Sequence, residues 1–112
     1  MKNVCVMGLG YIGLPTASVL ASNGFQVLGV DVSPRVVDTV NSGNIHIEEP
    51  GLRTVVAAAI GSGHLRAALK PEKSDVFIIA VPTPLTKDKR ADMSYVVQAT
   101  EQIVPFLSPG CL

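Results

Sequence analysis

An α/β fold built on a parallel sheet with helices on both faces is what this sequence predicts, and three observations carry the expectation. Apolar runs of strand length (KNVCVM, QVLGVD, VFIIAV) alternate with stretches of helical period. The runs are nearly continuously apolar, as in strands covered on both sides. The first run leads directly into the glycine-rich segment GLGYIG, which opens a helical stretch.

Residues 2–7 (KNVCVM) are expected as the first strand and 26–31 (QVLGVD) as the second. Between them, residues 11–23 read as a helix. Its Pro15 falls in the first turn, where N–H groups lack intrahelical acceptors. Ser33 followed by Pro34 reads as an N-cap and first helical position, with Val36, Val37 and Val40 as the buried stripe of a second helix. A polar loop, 42–50 (SGNIHIEEP), precedes Leu52, Val55, Val56, Ala59 and Ile60, which recur at i, i+3, i+4, i+7 and i+8. That is a third helix, stopped near Gly61 and Gly63. A weak strand at 64–69 (HLRAAL) and a strong one at 76–81 (VFIIAV) follow. The loop VPTPLTKDKRAD then leads to a helix from about residue 93. Asp92 is its expected cap, and Lys87, Asp88, Lys89 and Arg90 read as a solvated loop. Val96, Val97, Thr100, Ile103, Val104 and Leu107 are its expected apolar face, and Pro105 should bend or end its last turn.

Cys111 and Leu112 fall where a fifth strand would begin in the usual 3-2-1-4-5 order. The expectation is therefore a Rossmann-like parallel sheet, truncated after the fourth strand and its helix, with 1–112 the front portion of a dinucleotide-binding domain. A missing fifth strand would leave VFIIAV as an open apolar edge. The chain is thus expected to be the front of a longer protein or to associate through that edge as a homo-oligomer.

The 112 residues and 11.7 kDa suit one domain, and 47% apolar with 16% charged residues suits a packed interior. Nine basic and nine acidic residues cancel, so no electrostatic footprint points to nucleic acid or an anionic membrane, and neither partner is expected. The first apolar run ends at Gly8, too short for a secretory signal or a membrane span, which predicts a cytoplasmic protein. Cys5 and Cys111 lack metal-ligand spacing and read as small hydrophobes in a reducing compartment, with no metal site expected.

Gly8, Gly10 and Gly13 satisfy GxGxxG. In a dinucleotide site the first glycine permits the tight turn, the second lets the backbone approach a pyrophosphate, and the third lets helix and strand pack closely. The helix N-terminus adds free N–H groups and positive dipole. Asp31, ending the second strand, can accept hydrogen bonds from the adenosine ribose, and its charge would repel a 2′-phosphate, which favours NAD over NADP. Its alternative role is a capping or loop carboxylate. Arg35 could pair with Asp31, stack on adenine, or stand as a solvated surface charge. In VPTP, Thr83 offers a hydroxyl at the fourth strand's C-terminal end, where ligands of open α/β sheets bind; a rigid turn without ligand is the alternative.

GLGYIGLP, the Asp31 strand end, IHIEEPGL (45–52), HLRA (64–67), IIAVPTPL (78–85) and ADMSYV (91–96) together resemble the nucleotide-sugar dehydrogenases of the UDP-glucose and GDP-mannose dehydrogenase family, in order over nearly the whole chain. IHIEEPGL with its His46, and VPTPL followed by a charged loop and DMSYV, look most like the branch that oxidises UDP-N-acetylmannosamine. The resemblance implies an NAD-dependent oxidation of a UDP-sugar C6 alcohol to the carboxylate, by two hydride transfers. It places NAD contacts on Tyr11, Ile12, Asp31 and Thr83, with Arg35 at an often basic position. The family's catalytic cysteine, lysine and asparagine lie in later segments, so none of these residues, Cys5 and Cys111 included, is expected to be catalytic. The chain alone is expected to be inactive. His46, Glu48 and Glu49 either shape the approach to the site or belong to a surface loop with a packed histidine; His64 and Arg66 read as structural. Another NAD-dependent dehydrogenase of 3-hydroxyacid type, or a non-catalytic nucleotide-sensing module, would share the first units.

Overall fold

A computed structural model of the chain describes residues 3–82, 93–107 and 109–112. The strands β1 (Asn3–Met7), β2 (Gln26–Val30), β3 (Leu65–Ala68) and β4 (Val76–Ile79) form one parallel sheet in the order β3-β2-β1-β4. The sheet carries the helices α1 (Gly13–Ser22), α2 (Pro34–Asn41), α3 (Leu52–Gly61) and α4 (Ser94–Ile103), the last running into a 3₁₀ turn, Val104–Phe106. Strand order and the sequence of elements are those the residues predict.

Alternation along each strand divides the core. Val4, Val6, Val27, Leu65 and Ala67 face one way, against Leu14, Ala17 and Ala21 of α1, Val37 and Val40 of α2, and Leu52, Val56 and Ala59 of α3. Cys5, Met7, Leu28 and Val30 face the other way, against Ala99 and Ile103 of α4. Each fully buried Val or Leu contributes about 1.5–3 kcal/mol of transfer free energy, so the two inner strands are the sheet's anchor. β4, at the edge, is only half-buried.

Helix ends follow local chemistry. α1 begins at Gly13 rather than residue 11, because Tyr11 and Ile12 belong to the glycine turn; Pro15 still falls in its first turn. It stops where Gly24 takes φ +91°, a left-handed conformation that closes the helix through Gly24 N–H to Ala21 C=O. α2 has the predicted cap, with the Ser33 hydroxyl accepting from Val36 N–H at 3.4 Å and Pro34 at the first position.

α4 corrects the sequence reading. Ala99 and Ile103 are buried and Val96 half-buried, whereas Val97, Thr100, Val104 and Leu107 are exposed. The buried stripe is i, i+3, i+7 through the small Ala99, which lets the helix lie close over Met7 and Val30. Weighing only bulky positions rotated the expected face. Pro105 does end the regular helix, inside the 3₁₀ turn. Met93 stands at the N-cap of α4, and Asp92 lies outside the described residues, as do Lys87 to Arg90.

Leu112 lies beside the outer edge of β4. Its N–H donates to the Asp75 carbonyl at 2.8 Å, and its own carbonyl accepts from Phe77 N–H at 2.6 Å. Bonding to residues two apart on one neighbour is a parallel-ladder pattern, at the position where the sequence starts a fifth strand.

Candidate dinucleotide-binding site

The C-terminal ends of β1, β2 and β4 open into a cleft of about 590 Å³. Its walls are the turn Gly8–Ile12, the β2 end at Val30–Val32, His46, the segment Ala80–Pro82, and one side of α4. This is the point where the chain reverses direction across the sheet between β1 and β4, the customary ligand position in open α/β folds.

Each glycine of GLGYIG has its own reason. Gly8 takes φ +101°, and a Cβ there would stand 2.7 Å from the Ala80 carbonyl oxygen. Its N–H donates to Val30 C=O at 2.7 Å, which holds the turn over the sheet. A Cβ on Gly13 would lie 2.8 Å from the Gly8 carbonyl carbon and closer still to its oxygen, so α1 and the turn meet without room for a side chain. At Gly10 nothing lies within 4 Å of such a Cβ. The fold does not need Gly10; the space beside it is cleft. At the start of α1, Leu14 N–H donates to Gly10 C=O and Thr16 N–H to Ile12 C=O, both at 3.1 Å, and Pro15 has no N–H, so among the described residues the Gly13 N–H is the one left without an acceptor.

Asp31 sits just past β2, half-buried in the cleft wall. One carboxylate oxygen accepts from Leu9 N–H at 3.1 Å and the other from Ser33 N–H at 3.0 Å. The carboxylate thereby ties the β1 turn to the start of α2, and each oxygen retains acceptor capacity toward the cleft. Tyr11 and Ile12 are exposed, 65% and 71%, on the cleft's rim. Arg35 lies exposed on α2 outside the cleft wall, and among the described residues no ion pair joins it to Asp31. Thr83 lies outside the described residues; Ala80, Val81 and Pro82, which lead to it, line the cleft.

Sequence reasoning missed several residues of this site. Tyr95, Gln98 and Gln102 of α4 form one wall, at i, i+3 and i+7 beside the buried Ala99. That polar stripe was visible in the sequence, had the helix been set by Ala99. Gly29 was read only as part of a strand. A Cβ there would come 2.6 Å from Leu9 Cδ2, so this glycine seats the buried Leu9 under the turn. A glycine inside a strand run is the usual mark of such an approach. His46, half-buried, forms part of the cleft wall, and its Nδ1 is buried without a hydrogen-bond partner among the described residues. Leaving such an atom unpaired costs about 1–3 kcal/mol. His64 and Arg66 are structural as expected: His64 Nδ1 lies 2.9 Å from Ser62 Oγ, and Arg66 forms a two-pronged pair with Glu72 at 2.9 and 2.6 Å.

The perturbed titrating groups lie away from the cleft. Burial pushes the Cys5 thiol up to about 11. The hydrogen-bonded pair raises Arg66 and lowers Glu72, on the exposed surface of the sheet's outer strand. Among the described residues no group of three His, Cys, Asp or Glu is placed to hold a metal, and no helix is long and apolar enough to cross a membrane.

Residues 2–112 match the model of the UDP-glucose/GDP-mannose dehydrogenase family, NAD binding domain. The chain belongs to this family. Its cofactor class is therefore NAD, and the turn fits that ligand: Gly10 leaves open space, the Gly13 N–H opens α1 without an acceptor among the described residues, and Asp31 is fixed with acceptor capacity to spare. The chain is 51% identical over 111 residues to the NDP-N-acetyl-D-galactosaminuronic acid dehydrogenase of Ralstonia nicotianae, covering 99% of this chain and 26% of that protein. It is 50% identical over 109 residues to the UDP-N-acetyl-D-mannosamine dehydrogenase of Escherichia coli, covering 97% and 26%. The structure of the UDP-N-acetyl-mannosamine dehydrogenase of Staphylococcus aureus superposes with a TM-score of 0.96 at 47% identity, over 98% of this chain and 27% of that one. The chain thus spans about a quarter of the length of these relatives.

Proposed function

We propose that this family member is the NAD-binding front part of a UDP-sugar 6-dehydrogenase, which oxidises UDP-N-acetyl-D-mannosamine to the uronic acid in two successive hydride transfers. The observation that carries this reading is the conjunction of the GLGYIG turn and Asp31 in one cleft with about half-identity to dehydrogenases named for that sugar. NAD supplies the hydride acceptor. Gly8 and Gly13 hold the turn in place, and Gly10 admits the pyrophosphate beside the start of α1. Asp31 accepts from the adenosine ribose, Tyr11 and Ile12 cover the bound dinucleotide, and Thr83 is a further contact. Arg35, exposed on α2 outside the cleft wall, stacks on the adenine. No residue of the chain is assigned to catalysis, and the chain alone should not turn over. In this reading the UDP-sugar and catalytic domains follow, the protein works in the cytoplasm in polysaccharide biosynthesis, and it assembles as a homo-oligomer.

The relative named for N-acetylgalactosaminuronic acid, at 51% identity, supports a second sugar for the same chemistry. The full-length protein should form about two NADH per UDP-N-acetylmannosamine consumed, as the two-step oxidation requires. One NADH per sugar would contradict the two-step reading. Activity confined to UDP-N-acetylgalactosamine would replace the sugar, and no NADH with any UDP-sugar would favour a nucleotide-sensing module.

A further inference from the structure

His46 is placed by its neighbours. Ile47 is a member of the core around α1 and α3, and Ile45 packs against the same core. With both flanks held, the imidazole has little freedom to leave the cleft wall, yet among the described residues its buried Nδ1 has no partner. Buried polar atoms are ordinarily satisfied, and an exception asks for a reason. Nothing in the packing supplies one, since the ring lies beside a cleft belonging to a polar ligand. A half-turn about Cβ–Cγ exchanges Nδ1 for Cδ2, so the ring can present a nitrogen to a ligand without moving the backbone.

We infer that His46 is a cofactor-binding residue, whose ring donates a hydrogen bond to an oxygen in the adenosine diphosphate half of the dinucleotide and thereby satisfies the nitrogen left unpaired. The half follows from topology. The loop carrying His46 joins α2 to α3 within the crossover from β2 to β3, which places it on the Asp31 side of the cleft rather than the β4 side. Asp31 takes the ribose from the strand end; His46 approaches from the crossover. Among the described residues, Tyr11, Asp31 and Tyr95 are the other titratable groups in the wall, and none is needed for this contact. The inference rests on NAD binding in this cleft, and it adds a residue to that site.

Titration calorimetry of the chain with NAD and with ADP tests it, using His46→Phe to remove both nitrogens and His46→Asn to keep a donor near the Nδ1 position. The expected result is a loss of about tenfold in affinity for both ligands in His46→Phe, with most of it restored in His46→Asn. Unchanged ADP affinity in His46→Phe overturns the proposal, while leaving NAD binding intact as a separate result. If wild type binds neither ligand, the reading beneath it falls as well. Ring ¹⁵N shifts read the contact directly even where His46→Phe does not fold. His46 should move on ADP saturation, while His64, the other of two histidines and bonded to Ser62, should not. A stationary His46 signal at saturation overturns the proposal.

Discussion

Gly10 and Gly13 stand three residues apart in one turn, and a methyl group on each should do damage of a different kind. In Gly13→Ala the new carbon falls 2.8 Å from the Gly8 carbonyl carbon, with the oxygen nearer, and 3.4 Å from Ala80 Cβ. Neither side can give way cheaply. Gly8 is bonded to Val30 and pressed on Ala80, and α1 is anchored by the fully buried Leu14 and Ala17. Overpacking of this kind costs about 1–3 kcal/mol, and more where backbone must move. Alanine's better helix propensity returns up to about 1 kcal/mol, leaving a net loss of roughly 1–2 kcal/mol. At about 4–8 °C per kcal/mol for a domain near this size, Tm should fall by about 5–15 °C. In Gly10→Ala no atom lies within 4 Å of the methyl and the backbone is not left-handed, so stability should hold or rise by about 0.4–1 kcal/mol. The methyl instead stands in the cleft, and NAD affinity should drop about tenfold or more, equivalent to at least about 1.4 kcal/mol. Scanning calorimetry reads the first effect and titration calorimetry the second. A Gly10→Ala chain that melts early, or binds NAD like wild type, would refute the assignment of that space to the cofactor.

Cys5 and Ser33 give two further tests. With its thiol at about 11, Cys5 is roughly one part in a thousand thiolate at pH 8. Ellman's reagent should therefore label one of the two cysteines in the folded chain, the half-buried Cys111, and both in denaturant. Because the folded thiol keeps its proton longer than the unfolded one, its contribution is whole below about pH 8.5 and is lost as pH rises toward 11, a change of about 3 kcal/mol. Cys5→Ala should accordingly show a shallower fall in Tm between pH 9 and 11; a parallel fall would contradict the burial argument. Ser33→Ala removes a cap whose bond to Val36 is long at 3.4 Å, so urea unfolding should show a loss of only about 0.5 kcal/mol, the low end for caps.

Much of this architecture was readable because β1 and β2 are continuous apolar runs and the glycines punctuate them. The Ser33 cap and the pairing of GLGYIG with Asp31 followed from spacing, and the strand order from the usual 3-2-1-4-5 arrangement of such sheets. What was not readable depended on small residues and on side-chain direction. Ala99 sets the rotation of α4, and only with it fixed do Gln98 and Gln102 turn toward the cleft. Gly29 matters because Leu9 lies over it: a glycine inside a strand run signals a close approach, but not that the approaching residue is Leu9, twenty positions away. His46 sits in a loop whose path is decided by the core positions of Ile45 and Ile47, so its place in the cleft wall needed the fold. The two hydrogen bonds that the Asp31 carboxylate accepts from Leu9 and Ser33 N–H give it a structural role and leave each oxygen further acceptor capacity.

The central claim is that this cleft holds NAD, with Asp31 on the adenosine ribose. Titration calorimetry of the wild-type chain with NAD and NADP, repeated on Asp31→Asn, tests it most directly. Asparagine removes the charge and keeps one of the two acceptors, giving up the bond from Leu9 N–H or Ser33 N–H, so the Tm of Asp31→Asn is read beside its affinities to separate loss of the turn from loss of the charge. The account predicts that wild type binds NAD more tightly than NADP and that Asp31→Asn narrows or reverses the preference. Tighter NADP binding by wild type, or a preference unchanged in Asp31→Asn, would contradict it.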